Sequence, residues 1–169
     1  ALWQVERAVR PAGPLFAAGA AAEPEASPLR PMTSPERLLA DYAGTGLTIG
    51  PHPLALRRSE LALRGVLRAH DLPQGRHGRR VLVAGAVITR QRPGTAKGFV
   101  FLTLEDETGI ANIIVRPDLF AACRRTIVGE PYLLVEGTLQ IQDGVTAVKA
   151  ERVAGLAGRA PEPGSHDFR

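Results

Sequence analysis

From Arg80 onward apolar residues recur at every second position in separate short runs, whereas before Arg80 their spacing is helical. The first run, Arg80 to Gln91 (RVLVAGAVITRQ), is β-branched and carries Gly85 in its middle. A glycine inside a strand predicts a bulge or a tight bend, as a strand needs when it turns a barrel corner. Arg92 to Gly98 reads as a loop, Phe99 to Asp106 (FVFLTLED) as a second strand, and Glu107-Thr108-Gly109 as a tight turn. Asp106 is placed to bond backbone amides before Gly109. Ile110 to Val115 is the third strand. Pro117 opens a helix over Asp118 to Ile127, with Leu119, Phe120, Cys123 and Ile127 on its apolar side. Tyr132 to Ile141 and Val145 to Val153 follow as strands four and five, joined through Gln142-Asp143-Gly144. Five antiparallel strands with a helix between the third and fourth predict a mainly β fold, a five-stranded OB-fold Greek-key barrel over residues 79–155.

The preceding extension is partly helical. Thr33-Ser34-Pro35-Glu36 is a helix start, either through a Thr33–Glu36 capping box or with Ser34 as cap and Pro35 at the first helical position. That helix is expected to pass Leu38, Leu39 and Tyr42 and to stop at Gly44-Thr45-Gly46. Leu47 to Pro53 is extended, because Pro51 and Pro53 push their predecessors out of the α region. A second helix is expected over Leu54 to Leu67. Residues 32–78 thus form a helical and extended connector. Residues 1–31 read as the end of a helix (Leu2, Val5, Val9) and a Pro/Ala/Gly-rich linker, and 156–169 as a tail. The chain begins at Ala1 rather than Met, which fits a fragment or a processed chain.

Alternation also sorts the strand faces. In strand two Val100, Leu102 and Leu104 turn inward, leaving Phe99 and Phe101 outside; in strand three Ala111, Ile113 and Val115 turn inward, leaving Ile110, Asn112 and Ile114 outside. OB domains hold oligonucleotides on the surface of strands two and three and on the neighbouring hairpin loops. Phe101 and Phe99 are candidates for stacking on bases, Asn112 for a base edge, and Arg90, Arg92 and Lys97 for phosphates. Glu105, Asp106 and Glu107 put negative charge at the far end of strand two.

Composition adds a basic bias: the net charge is +4, and nearly all the positive charge is arginine, which pairs bidentately with phosphate. GC-rich coding would produce the same enrichment in Arg, Ala, Gly and Pro. The most basic stretch, Arg57 to Arg80, holds seven arginines against Glu60 and Asp71. Cys123 is the only cysteine, no Cys/His group has zinc spacing, and no apolar run is long enough to cross a bilayer. A reduced cytoplasmic setting is expected. Asp106 and Glu107 face opposite ways and make a poor metal pair, Gly94 and Gly98 lack the Gly-Lys-Ser/Thr of a Walker loop, and no Ser, His and acid set stands out. Taken alone the chain reads as a binding module with no catalytic residues and no cofactor of its own.

The run RQRPGTAKGFVFLTLEDETGIANIIVRPDLF, Arg90 to Phe120, resembles the OB-domain signature of error-prone C-family DNA polymerases, relatives of the bacterial replicative polymerase α subunit. LWQVERA at Leu2 to Ala8 with PLF at Pro14 to Phe16 resembles the region just before that domain. LLADYAGTGLTIGPHPLALRR at Leu38 to Arg58 and SHDFR at Ser165 to Arg169 are similar to the segments expected in the connector and at the extreme C-terminus. Arg116 before Pro117, where relatives carry an aromatic, and Pro51, where others are basic, depart from that pattern. The resemblance implies a C-terminal piece of a DNA-directed DNA polymerase, a nucleotidyltransferase of DNA repair, acting in translesion synthesis and damage-induced mutagenesis. It implies Mg2+ held by carboxylates upstream of Ala1, and single-stranded DNA, the remaining polymerase domains, mutagenesis accessory proteins and a sliding clamp as partners; no clear clamp-binding peptide is visible. The other readings are a protein-interaction module motivated by Phe99, Ile110 and Ile114, the OB domain of a replicative α subunit, and the anticodon-binding OB domain of a synthetase.

Overall fold

A computed structural model describes residues 30–45, 48, 50–156 and 166–168. The helix end and linker expected before Arg30 lie outside the described residues, as does most of the tail. The chain divides into two compact units, 1–31 and 32–169, and the fold below is that of the second.

The barrel is built from β2 (Arg80–Gln91), β3 (Val100–Asp106), β4 (Gly109–Val115), β5 (Tyr132–Gln142) and β6 (Val145–Gly155), in the order β2-β3-β4-β6-β5, and closes through a β2–β5 pairing. A ring of five strands cannot alternate direction throughout. The expected all-antiparallel arrangement is therefore corrected at one seam: β4 and β6 run parallel, with Ile113 opposite Val148 and Ile114 opposite Lys149. The helix Pro117–Gly129, which precedes β5, supplies the crossover that this parallel pair needs.

β2 carries the closure. Arg80 to Ala86 pair with β5, and Ala86 to Gln91 pair with β3. Gly85 sits where the partners change. A Cβ there would lie 2.6 Å from Leu104 Cβ and 3.0 Å from the Glu105 backbone, so the close approach of β3 requires glycine. Of the two expectations for Gly85, it is the barrel corner that falls there; the register shift lies further on, between Val87 and Thr89. Val81, Val83 and Val87 point into the barrel with Leu102, Leu104, Ile113, Val135 and Val148, while Ala84 and Ala86 are buried on the opposite face. Burial on both faces explains why this strand reads as a nearly continuous apolar run.

The second face of β2 is covered by the connector. α1 (Ser34–Thr45) starts in the expected capping box: the Thr33 N–H donates to Glu36 Oε2 at 2.8 Å, and Thr33 Oγ1 accepts the Glu36 N–H at 3.4 Å. The single helix expected over Leu54 to Leu67 is not formed. A 3-10 turn (Ala55–Arg57) leads into a short helix (Arg58–Leu63); Gly65, at φ +76°, then turns the chain so that β1 (Val66–Leu67) runs parallel to β2. Leu54, Leu61 and Val66 pack on Ala84, Ala86 and Tyr132, while Leu63 is left exposed. A further 3-10 turn (Ala69–Gln74) drops Leu72 into the barrel core. β7 (His166–Phe168) pairs in parallel with Thr89 to Gln91 of β2. Counting the helices in chain order, Arg58–Leu63 is α2 and Pro117–Gly129 is α3; the crossover before β5 is therefore α3. Its Ile127 is buried in the barrel core, with Leu119, Phe120 and Cys123 packed partly against it.

Candidate nucleic-acid interface

The outer surface of β3 and β4 has the expected sidedness. Val100, Leu102, Leu104, Ala111, Ile113 and Val115 are buried, and Phe101 is 37% exposed. Phe101 pairs with Ile114, and Thr103 with Asn112, so Phe101 and Asn112 are diagonal neighbours across two strands. The Asn112 amide makes only a long contact, Nδ2 donating to the Thr146 carbonyl at 3.5 Å, and the residue is exposed. One row of paired positions runs outward from Gln91 through Phe101, Ile114, Lys149 and Thr138 to Arg80. Lys149 was not among the sequence candidates. Its signal was available: it alternates with the inward-facing Val148 and Ala150.

The β2–β3 loop is shaped by a 3-10 turn (Gly94–Ala96), followed by Lys97 at φ +49° and Gly98 at φ +84°. A left-handed lysine is tolerated there because the Phe99 N–H closes the turn on the Ala96 carbonyl at 3.0 Å. Lys97 is exposed, and Phe99 is half-buried just outside β3. The Arg92 guanidinium lies over the Phe120 ring at 5.3 Å, a cation–π contact that fixes an otherwise exposed side chain against α3.

Arg90 is placed differently from its neighbours. Its Nε donates to the Ile127 carbonyl at 2.8 Å and its Nη2 to the Glu130 carbonyl at 2.9 Å. These are carbonyls at the C-terminal end of α3, so Arg90 holds that helix end to β2. The structure thus brings Phe101 and Asn112 together, sets Arg92, Lys97 and Phe99 at the adjoining loop, and directs Arg90 to the helix.

The arginine-rich stretch is also sorted. Arg57 and Arg64 pair with Glu60, Arg68 with Asp71, and Arg80 with Glu136 and Glu151 at 3.0 and 2.7 Å. The Thr138 hydroxyl, with Arg80 and other arginines behind it, holds the Glu151 carboxyl below its usual range. Arg58 reaches Asp106 at 3.2 Å and also pairs with Glu107. Asp106 is buried: Oδ1 accepts from the Thr108 and Gly109 N–H groups at 2.7 and 3.1 Å, and Oδ2 from the Ala69 N–H at 2.8 Å. The Asp106 turn chemistry expected before Gly109 is present, and it also ties the connector to the barrel. Among the described residues no group of three His, Cys, Asp or Glu side chains could hold a metal ion, and no helix is long and apolar enough to cross a membrane.

Residues 81–154 match a family model described as an OB-fold nucleic acid binding domain. An error-prone DNA polymerase of Pseudomonas fluorescens is 46% identical over 93% of this chain, and error-prone DNA polymerase 3 of Agrobacterium fabrum is 38% identical over 94% of it. By sequence the chain is a relative of the error-prone DNA polymerases. It spans about 15% of the length of those two polymerases. In error-prone DNA polymerases, then, the counterpart of this chain is one segment of a much longer protein. Asparaginyl-tRNA synthetase from Pyrococcus horikoshii aligns in structure with a TM-score of 0.45 and 23% identity, covering 56% of this chain and 23% of that one.

Proposed function

We propose that this chain is the OB segment of an error-prone DNA polymerase and binds single-stranded template DNA during translesion synthesis and damage-induced mutagenesis. The observation that carries the reading is the exposed Phe101 beside Asn112 on the outer face of β3 and β4, next to the basic loop of Arg92 and Lys97. A phenylalanine ring stacks on any base, so such a face tolerates sequence and lesions alike, while the cations follow the phosphates. Nucleotide addition and its Mg2+ belong, on this reading, to other parts of the parent polymerase. Mutagenesis accessory proteins and a sliding clamp are partners of that whole protein.

Titration of fluorescent oligo-dT with the chain at low and moderate salt tests this directly. Affinity is expected to fall steeply with salt, and Phe101→Ala to weaken binding by roughly 1–3 kcal/mol. An unchanged affinity in a folded Phe101→Ala protein removes that ring from the site. A protein-docking reading draws on exposed Ile110 and Val145, 57% and 63% accessible on neighbouring β4 and β6. Capture of a polymerase domain that survives DNase, by a chain with no measurable DNA affinity, would favour it instead.

A further inference from the structure

We propose that the Gly75–Arg79 loop is a second phosphate anchor, taking the sugar-phosphate backbone of a single strand where it leaves the β3–β4 face. The proposal rests on the reading that this face holds a strand, and adds a site that Phe101, Asn112 and the β2–β3 loop do not include.

Of the seven arginines between Arg57 and Arg80, only the side chains of Arg76 and Arg79 make no ion pair or hydrogen bond among the described residues. Both are exposed, as is His77 between them. With Gly78 they line an open cleft of about 380 Å³. The loop has a defined shape. The Gly78 N–H donates to the Leu139 carbonyl and the Leu139 N–H to the Arg79 carbonyl, each at 2.8 Å. Gly78 is at φ +80°, and a Cβ on Gly75 would lie 2.5 Å from Leu139 Cδ2 and 3.1 Å from the Leu72 carbonyl oxygen, so two glycines let the loop close over the end of β5.

His77 holds the loop to β5: its Nδ1 lies 3.1 Å from the Ile141 N and 3.2 Å from the Ile141 carbonyl oxygen, so the ring accepts in the first contact and, in the other tautomer, donates in the second. Two guanidinium groups with no anionic partner among the described residues, beside an open cleft, suit a phosphodiester, whose two non-bridging oxygens share one negative charge and accept bidentate donation. The residues lining the cleft include two arginines and no carboxylate.

The loop also lies in line with the face. Thr103 pairs with Asn112, the Asn112 amide touches the Thr146 carbonyl, Thr146 pairs with Ile141, and Ile141 is the residue bonded to His77. Three strand spacings separate Asn112 from the loop, about 15 Å along the surface. A strand of two or three nucleotides seated on Phe101 would not reach it, and a longer one would.

The test compares the 169-residue chain with its R76A/R79A variant on oligo-dT of about three and about fifteen nucleotides, across a salt series. Losing two single-strand phosphate contacts is expected to reduce the slope of log affinity against log salt by about 1.4 for the long oligonucleotide and to leave the short one unchanged. R124A/R125A, which removes the same charge from α3, is expected to keep the parental slope. R76Q/R79Q repeats the measurement should the alanine variant melt lower. Equal slopes for R76A/R79A and the parent, with binding intact, overturn the anchor alone. Equal losses in both double variants also overturn it, since they would reflect net charge. A parent chain that binds neither oligonucleotide overturns the face reading and this proposal together.

Discussion

Arg90 and Lys97 bracket one loop, yet they have different employment. Lys97 stands in a left-handed turn with its ammonium in solvent, while Arg90 satisfies two carbonyls at the end of α3. Removing those donors leaves the part-buried Ile127 carbonyl without this partner, a loss of about 1 kcal/mol. Arg90→Ala is therefore expected to lower the urea midpoint, while weakening oligo-dT binding less than Phe101→Ala does; a larger binding loss with unchanged stability would return Arg90 to the DNA face. Strand alternation alone exposes Phe101 and Asn112, because a period of two is local. The fate of each arginine is not local. Arg90 meets carbonyls of α3, Arg58 meets the β3–β4 turn, and Arg80 meets β5 and β6, and none of these partners is near in sequence.

At the scale of elements, the β3–β4 turn and the connector form one unit through Asp106. Its carboxylate is buried, with its two oxygens divided between the turn's own amides and the Ala69 N–H and Arg58 guanidinium of the connector. Asp106→Ala removes the acceptor of the Ala69, Thr108 and Gly109 N–H groups while Arg58 keeps Glu107, so a loss of about 1–3 kcal/mol in unfolding free energy is expected by urea denaturation. Arg58→Ala should cost less, because Asp106 keeps its N–H donors. A loss below about 1 kcal/mol for Asp106→Ala would show that the connector docks by its leucines alone. The acid's turn role was legible from Asp106 and Gly109, but its second role was not, since Ala69 carries no sequence signal. The connector's last part misled for a related reason. Its leucines keep a helical spacing up to Leu67, but Gly65 breaks the run and Val66 finds a strand partner in β2 that only the closed barrel provides.

For the whole molecule, the succession of barrel strands and the helix between the third and fourth could be read from periodicity, and the barrel has both. Closure itself required geometry: a five-stranded ring must contain one parallel seam, and Gly85 marks the corner where β2 exchanges β5 for β3. That closure decides what stays outside, and what stays outside is Phe101, Asn112 and the basic loop. The most direct measurement is an amide chemical-shift map of the labelled chain titrated with oligo-dT. The expected result is perturbation concentrated at Phe101, Asn112 and Gly94 to Phe99, extending to Arg76 to Arg79 only with the longer strand. Perturbation confined to α3 and the β5–β6 surface around Cys123, or none at all, would contradict a DNA-binding face on β3 and β4.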